Sequence, residues 1–173
     1  RGGARMKIAV VGGTGDFGAN LAARLVEAGQ DVVVGSRDAE RAQAAAAEIG
    51  ARGATNAEAV DGVDLVVLAV KAEAALSTAA DLAAAIGAPV LSVASELRFT
   101  KAGIFPGGDE RSLAERTQEL LDAPVAAGLH SLAAATLAGG RADGDALVCG
   151  DDADAKQRAL ELAALVVTGR ALD

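Results

Sequence analysis

The stretch Lys7-Ile-Ala-Val-Val-Gly-Gly-Thr-Gly-Asp-Phe-Gly18 decides the fold. Its first five residues form a short apolar run without clean alternation, the pattern of a parallel strand buried on both faces. The run passes directly into glycines. Residues 16–28 then carry Leu21, Leu25 and Val26 at helical spacing, with Gly29 placed to end the helix. Gly13, Gly15 and Gly18 satisfy G-x-G-x-x-G, in which successive glycines allow a tight turn, close backbone approach to a pyrophosphate, and close helix–strand packing. The helix that follows offers free N–H groups and a partial positive charge to phosphates. Gly12, Gly15 and Gly18 fit G-x-x-G-x-x-G equally well, so spacing alone leaves the enzyme family open. In its strand-to-helix setting the motif predicts a dinucleotide loop; the alternative is a merely structural glycine-rich turn.

Working outward, residues 31–35 read as a second strand, 39–49 as an Ala-rich helix closed by Gly50, and 64–70 as a buried strand. A weak strand falls near 53–55. Residues 72–86 read as helix, 89–93 as strand and 112–121 as helix. The pattern continues more loosely with strand 124–127, short helix 131–138, strand 146–149 and helix 153–167. Such alternation predicts an α/β fold with a doubly wound parallel sheet, an NAD(P)-binding Rossmann domain. Residues 95–110 form a long connection containing Gly103, Pro106, Gly107 and Gly108, a length that suggests function. Arg1 to Arg5 precede Met6 and read as an upstream extension or cloning remnant, leaving 6–173 as the domain.

The end of the second strand indicates which dinucleotide. NAD binders commonly place Asp or Glu there to accept hydrogen bonds from the ribose 2′-hydroxyl. This chain has Gly35-Ser-Arg37, with Arg41 one helical turn later. A hydroxyl and guanidinium groups suit the 2′-phosphate of NADP. The plainer reading leaves Arg37 and Arg41 as surface residues paired with Asp38 or Glu40.

Composition excludes more than it indicates. The 173 residues carry net charge −8, and their 44 Ala make helices easy to form and the core finely divided. There is no Tyr and no Trp, which removes the Tyr-Lys pair of short-chain dehydrogenases and argues against base stacking. The acidic balance argues against binding a phosphate backbone. One His and one Cys cannot make a His/Cys metal site, so no metal is expected. Cys149 cannot form an internal disulfide, and no apolar run approaches the ~20 residues of a membrane span. These features suggest a cytoplasmic protein with neither nucleic-acid nor membrane partners. Cys149 reads as a small buried hydrophobe in its strand. Asp151-Asp-Ala-Asp154 reads as a helix cap with acidic first-turn residues. His130, the only imidazole, falls near the C-terminal edge of a strand, where Rossmann sheets bind ligands. It is a candidate partner for a bound ring or a structural hydrogen-bonding residue. Glu96, Arg98 and Lys101 are candidates for contact with a second substrate, or plain surface residues.

The run from Met6 to Gly18, the segment Val-Val-Val-Gly-Ser-Arg37, Gly-Leu-His-Ser-Leu132 and Val-Cys-Gly-Asp-Asp152 resemble the coenzyme F420-dependent NADP oxidoreductases. The likeness runs in order through nearly the whole chain. The same module recurs in the cytosolic part of STEAP-type metalloreductases. What the resemblance implies is reversible hydride transfer between NADPH and the 8-hydroxy-5-deazaflavin coenzyme F420. Gly12, Gly13, Thr14, Gly15, Asp16, Phe17 and Gly18 would hold the pyrophosphate, and Ser36, Arg37 and Arg41 the 2′-phosphate. Val70, Ala72, Leu76 and Leu97 would line the cofactor cleft. His130, as the catalytic-site residue, and Ala134 would sit against the nicotinamide and deazaflavin rings. Such a reaction needs orientation rather than a nucleophile or metal. The chain departs from the family at Lys71-Ala-Glu-Ala74 and at Ala133, where Pro is expected. The family also continues into C-terminal helices that close the deazaflavin site and build a homodimer, which this sequence is expected to lack. Other readings are an NADP-dependent imine or keto-acid reductase, which would draw a proton from His130 or Lys101, and a non-catalytic NADP-binding module.

Overall fold

A computed structural model describes residues 5–173. The proposed extension at 1–5 therefore lies almost wholly outside the described residues. The elements are β1 Lys7–Val11, α1 Asp16–Glu27, β2 Asp31–Ser36, α2 Ala39–Ile49, β3 Arg52–Thr55, α3 Asn56–Ala59, β4 Leu65–Leu68, α4 Ala72–Leu82 and β5 Val90–Ser92. They continue with β6 Leu97–Thr100, β7 Gly103–Pro106, α5 Leu113–Gln118, β8 Val125–Gly128, α6 Ala134–Ala138, β9 Ala146–Cys149, α7 Ala153–Val166 and β10 Ala171–Leu172. Eight strands form one sheet in the order β10-β9-β8-β5-β4-β1-β2-β3, and β6 pairs with β7 in a separate antiparallel hairpin.

The sheet is buried on both faces because its central strands are apolar at nearly every position, with Lys7 opening β1 and Ser92 closing β5. Ile8, Val10, Val34, Leu65, Val67 and Leu91 pack under α1, α2, α6 and α7. Ala9, Val11, Val33, Val66, Leu68 and Val90 pack under α3, α4 and α5. The helices meet the sheet through Ala42, Ala46, Ala75, Ala79, Ala155, Ala159 and Ala163, all buried. This is where the alanine-rich composition goes: methyl-sized contacts let helix backbones lie close to the strands.

Two departures from the expected pattern matter for the site. First, the sheet is not wholly parallel, because β9 runs antiparallel to β8 with Ala127 opposite Cys149 and Gly128 opposite Val148. The connection contains only the five-residue α6. Residues 129–145 are long enough for a parallel crossover, but the chain does not run back along the sheet there and re-enters from the same end. Second, residues 95–110 are not irregular, since they hold the β6–β7 hairpin around Lys101 and Ala102. Cys149 also corrects its expectation: it is exposed, because no helix among the described residues covers the α5 face of β9.

Candidate functional site

β1 and β4 are neighbours whose following helices leave on opposite faces, so a crevice opens at their C-terminal ends. The glycine turn sits there. Gly12 has φ +76°, and a Cβ on it would lie 2.8 Å from the Ala69 carbonyl oxygen and 2.7 Å from Val70 Cγ1. A Cβ on Gly18 would lie 2.5 Å from the Gly12 carbonyl oxygen and 2.9 Å from Gly13 Cα. Both positions exclude side chains to let the chain fold upon itself. Gly15 differs. A Cβ there meets only the Gly12 oxygen at 3.4 Å, and the residue is exposed. The space it leaves open faces outward.

Gly15 is also the N-cap of α1 and has no side chain to bond the first-turn N–H groups. Four other helices solve that problem internally: Asp38, Thr55, Ser112 and Asp152 each accept from backbone N–H groups of α2, α3, α5 and α7. The α1 N-terminus thus combines uncapped donors, a positive dipole end and an outward-facing gap. A pyrophosphate fits these features.

At the next βα turn the Ser36 hydroxyl accepts from Thr14 Oγ1 at 3.5 Å and from the Asp38 N–H at 3.3 Å. Only 7% exposed, Ser36 ties the glycine loop to the end of β2. Arg37 and Arg41 are exposed, and neither forms an ion pair among the described residues. Asp38, the expected partner, instead caps α2 through Glu40 N–H at 3.0 Å and Arg41 N–H at 3.2 Å.

Val70 and Ala72 flank Lys71, the N-cap of α4, and Leu76 is half-buried one turn further on. Leu97 stands 51% exposed at the root of the hairpin. The structure groups Val70 with the glycine loop, its Cγ1 lying against Gly12. Asn20 Nδ2 donates to the Ala134 carbonyl at 3.1 Å, which fastens the segment after β8 to α1.

His130 follows Leu129, whose φ of +64° is the only positive value at a non-glycine among the described residues. Leu129 is buried and its carbonyl accepts from Leu132 N–H, so this strained turn sets the direction of the imidazole. His130 borders a cavity of about 410 Å³ shared with Ala94, Glu96, Pro106, Arg111 and Ala127. Burial pushes its pKa below the ordinary imidazole value, and the Ala94 backbone, which favours the cation, opposes that only in part. The shift favours the neutral ring, although the residue as a whole is exposed.

The cavity's far wall is a charge network that sequence reading missed. Glu96 pairs with Arg116, and Arg111 pairs with Glu119 and, at 3.6 Å, with Asp109. The Arg111 N–H, followed by the Arg111 and Arg116 charges, holds the Asp109 carboxyl below its usual value. The partners lie up to twenty residues apart, so only the fold assembles them; the Ser112/Glu115 capping box was the visible signal that a helix begins there. Among the described residues there is no cluster of His, Cys, Asp and Glu suited to a metal, and no helix long and apolar enough to cross a membrane.

A mostly parallel sheet, a glycine turn at its crevice, an uncapped helix and two free guanidinium groups define a dinucleotide-binding Rossmann domain. Comparison narrows the class: residues 7–96 match the family model described as NADP oxidoreductase, coenzyme F420-dependent. The F420-dependent NADP reductase of Methanothermobacter marburgensis is 36% identical over 192 residues, spanning 97% of this chain and 83% of the relative. That of Methanocaldococcus jannaschii is 32% identical over 97% of this chain and 83% of its own. A crystal structure of a candidate F420-dependent NADP-reductase from Arthrobacter sp. FB24 superposes with TM-score 0.76 at 28% identity, covering 96% of this chain and 84% of that one. The pyrroline-5-carboxylate reductase of Streptococcus pyogenes, with TM-score 0.69 at 17% identity over 98% of this chain and 58% of its own, shares the fold. The chain belongs to the family of coenzyme F420-dependent NADP oxidoreductases.

Proposed function

We propose that this protein transfers a hydride reversibly between NADPH and the deazaflavin coenzyme F420. The observation that carries the proposal is the pairing of two sites at one sheet edge, an uncapped glycine-loop helix and, on the far side of β5, the cavity bordered by His130. NADPH supplies the hydride from C4 of its nicotinamide, F420 accepts it at C5, and a solvent proton completes the reduced deazaflavin. The residues of this chain bind and orient. The first-turn N–H groups of α1 hold the pyrophosphate, and Arg37 and Arg41 hold the 2′-phosphate while Ser36 and Thr14 keep the two turns in register. Val70, Ala72 and Leu76 border the nicotinamide side. Neutral His130 offers a hydrogen bond to a ring amide or carbonyl without placing a second positive charge beside a developing nicotinamide cation. Ala134, fastened by Asn20, keeps that turn in place. No residue need act as nucleophile, and orientation in a dry slot supplies the rate.

The expected cytoplasmic location and homodimer belong to the same proposal, supported by the family relationship alone. Mixing the protein with NADPH and oxidised F420 tests the reaction: deazaflavin absorbance should fall as NADPH is consumed one for one. A protein that binds NADP but leaves both spectra unchanged would refute it.

A further inference from the structure

The turn after β3 stands next to the turn that carries Ser36 and Arg37. Gly35 lies opposite Ala54 in register and Ser36 opposite Thr55, so Asn56 is the next residue at the same edge of the sheet. Its carboxamide lies over β2. A Cβ on Gly35 would come within 2.9 Å of Asn56 Oδ1, so the amide occupies the place that a side chain at Gly35 would take. Arg37 follows Gly35 by two residues, the spacing that returns to the same face of a strand. The amide and the guanidinium thus share one side of the β2 end.

α3 does not draw on this amide. Thr55 and Glu58 close the helix with a reciprocal capping box, in which the Glu58 N–H donates to Thr55 Oγ1 at 3.3 Å and the Thr55 N–H donates to Glu58 Oε2 at 3.1 Å. Asn56 Oδ1 is buried and accepts from no donor among the described residues, an arrangement that costs stability and that an apolar residue would avoid. A buried group left unsatisfied calls for a reason, and the other end of the same amide supplies one. Only Oδ1 is shut in; the N–H end is open to a ligand. Asp38 and Glu58, the carboxylates that cap α2 and α3, are turned onto backbone N–H groups. In a chain of net charge −8, this edge therefore presents an amide donor beside Arg37 and Arg41.

We propose that Asn56 is a further specificity-determining residue of the dinucleotide site, its Nδ2 donating to the 2′-phosphate of NADP beside the two arginines. The inference rests on the NADP reading above. A neutral amide selects in two ways: it donates to phosphate oxygens, and unlike the carboxylate of the same shape it does not repel them. Aspartate at this position would be an acceptor only, the kind of group with which NAD binders take the ribose 2′-hydroxyl. One atom of Asn56, nitrogen in place of oxygen, thus sides with Ser36 and Arg37 in the choice of dinucleotide.

Calorimetric titration of the full chain with NADP, NAD and the fragment 2′,5′-ADP tests this, with a thermal melt of each variant. Asn56→Ala should weaken NADP and 2′,5′-ADP about tenfold and leave NAD within about twofold. Its melt should hold, because the substitution removes the unsatisfied oxygen along with the amide. Asn56→Asp should lower the ratio of NADP to NAD affinity about a hundredfold or more. A wild type that prefers NADP, with a ratio that Asn56→Ala leaves unmoved, overturns this inference alone, whether or not the Asp variant folds. Equal loss of NADP and NAD in Asn56→Ala does the same, since a merely structural residue would act on both. A wild type that binds neither dinucleotide, or both equally, overturns the NADP reading and this inference with it.

Discussion

The turns after β1 and β2 stand side by side, each leading from a parallel strand into a helix on the same face, and they handle the same physical problem in opposite ways. After β1 the chain removes side chains until the backbone itself is the surface, and it leaves the α1 N–H groups without a side-chain cap. After β2 it keeps its side chains: Asp38 satisfies the α2 N–H groups, and Ser36 and the two arginines surround the turn. A helix end already neutralised by a carboxylate has little left for an anion. On the proposed reading, backbone recognition at the first turn would read any diphosphate, while side-chain recognition at the second would choose between NADP and NAD.

That contrast breaks most severely at Gly18. Gly18→Ala sets a methyl group against the Gly12 carbonyl, so both folding and cofactor binding should collapse, seen as a lowered melting temperature and no detectable NADP titration. Gly15→Ala sharpens the comparison, because its Cβ meets nothing closer than 3.4 Å within the chain. The melt should hardly move while calorimetry shows binding of both NADP and NAD weakened by about tenfold or more. Equal loss of stability in the two variants would contradict the assignment of Gly15 to a ligand.

At the second turn the effects should be smaller and selective. Arg37→Ala should weaken NADP about tenfold to a hundredfold, the range of a lost charge-assisted hydrogen bond, and leave NAD unchanged. Asp38→Ala should cost about 1 kcal/mol of stability through the lost α2 cap, measured by denaturant unfolding, with NADP affinity retained.

Least in size is the effect of pH at His130. Its folded pKa is lowered, so the unfolded chain takes up a proton first as pH falls. The associated stability is fully present above the ordinary imidazole range and is lost as pH falls through it toward the folded value. His130→Asn should flatten that part of the stability profile, and an unchanged profile would remove His130 as its source.

Most of the nucleotide half was legible because its signals are local. The Lys7–Gly18 run, Gly35-Ser-Arg37 and the bounds of α2, Ala39–Ile49, follow from neighbours within one or two turns. The second half was harder for physical reasons. The direction of β9 depends on the path of residues 129–145, which no local signal specifies, and the exposure of Cys149 depends on which helix reaches that edge. The hairpin did have a local signature, apolar alternation about the short turn at Lys101 and Ala102, obscured by the reading of residues 95–110 as one long connection. The Glu96–Arg116 wall had none. Arg37 and Arg41 were legible as basic residues, but their freedom from Asp38 was not, since that carboxylate had first to find the helix N-terminus.

The account rests on two rings meeting at this sheet edge, and isotopic transfer tests that most directly. With NADPH deuterated on the transferred C4 face and oxidised F420, the protein should place one deuterium at C5 of the reduced deazaflavin, with none lost to solvent. Reduction without label at C5, or no reduction by a protein shown to bind NADP, would contradict it.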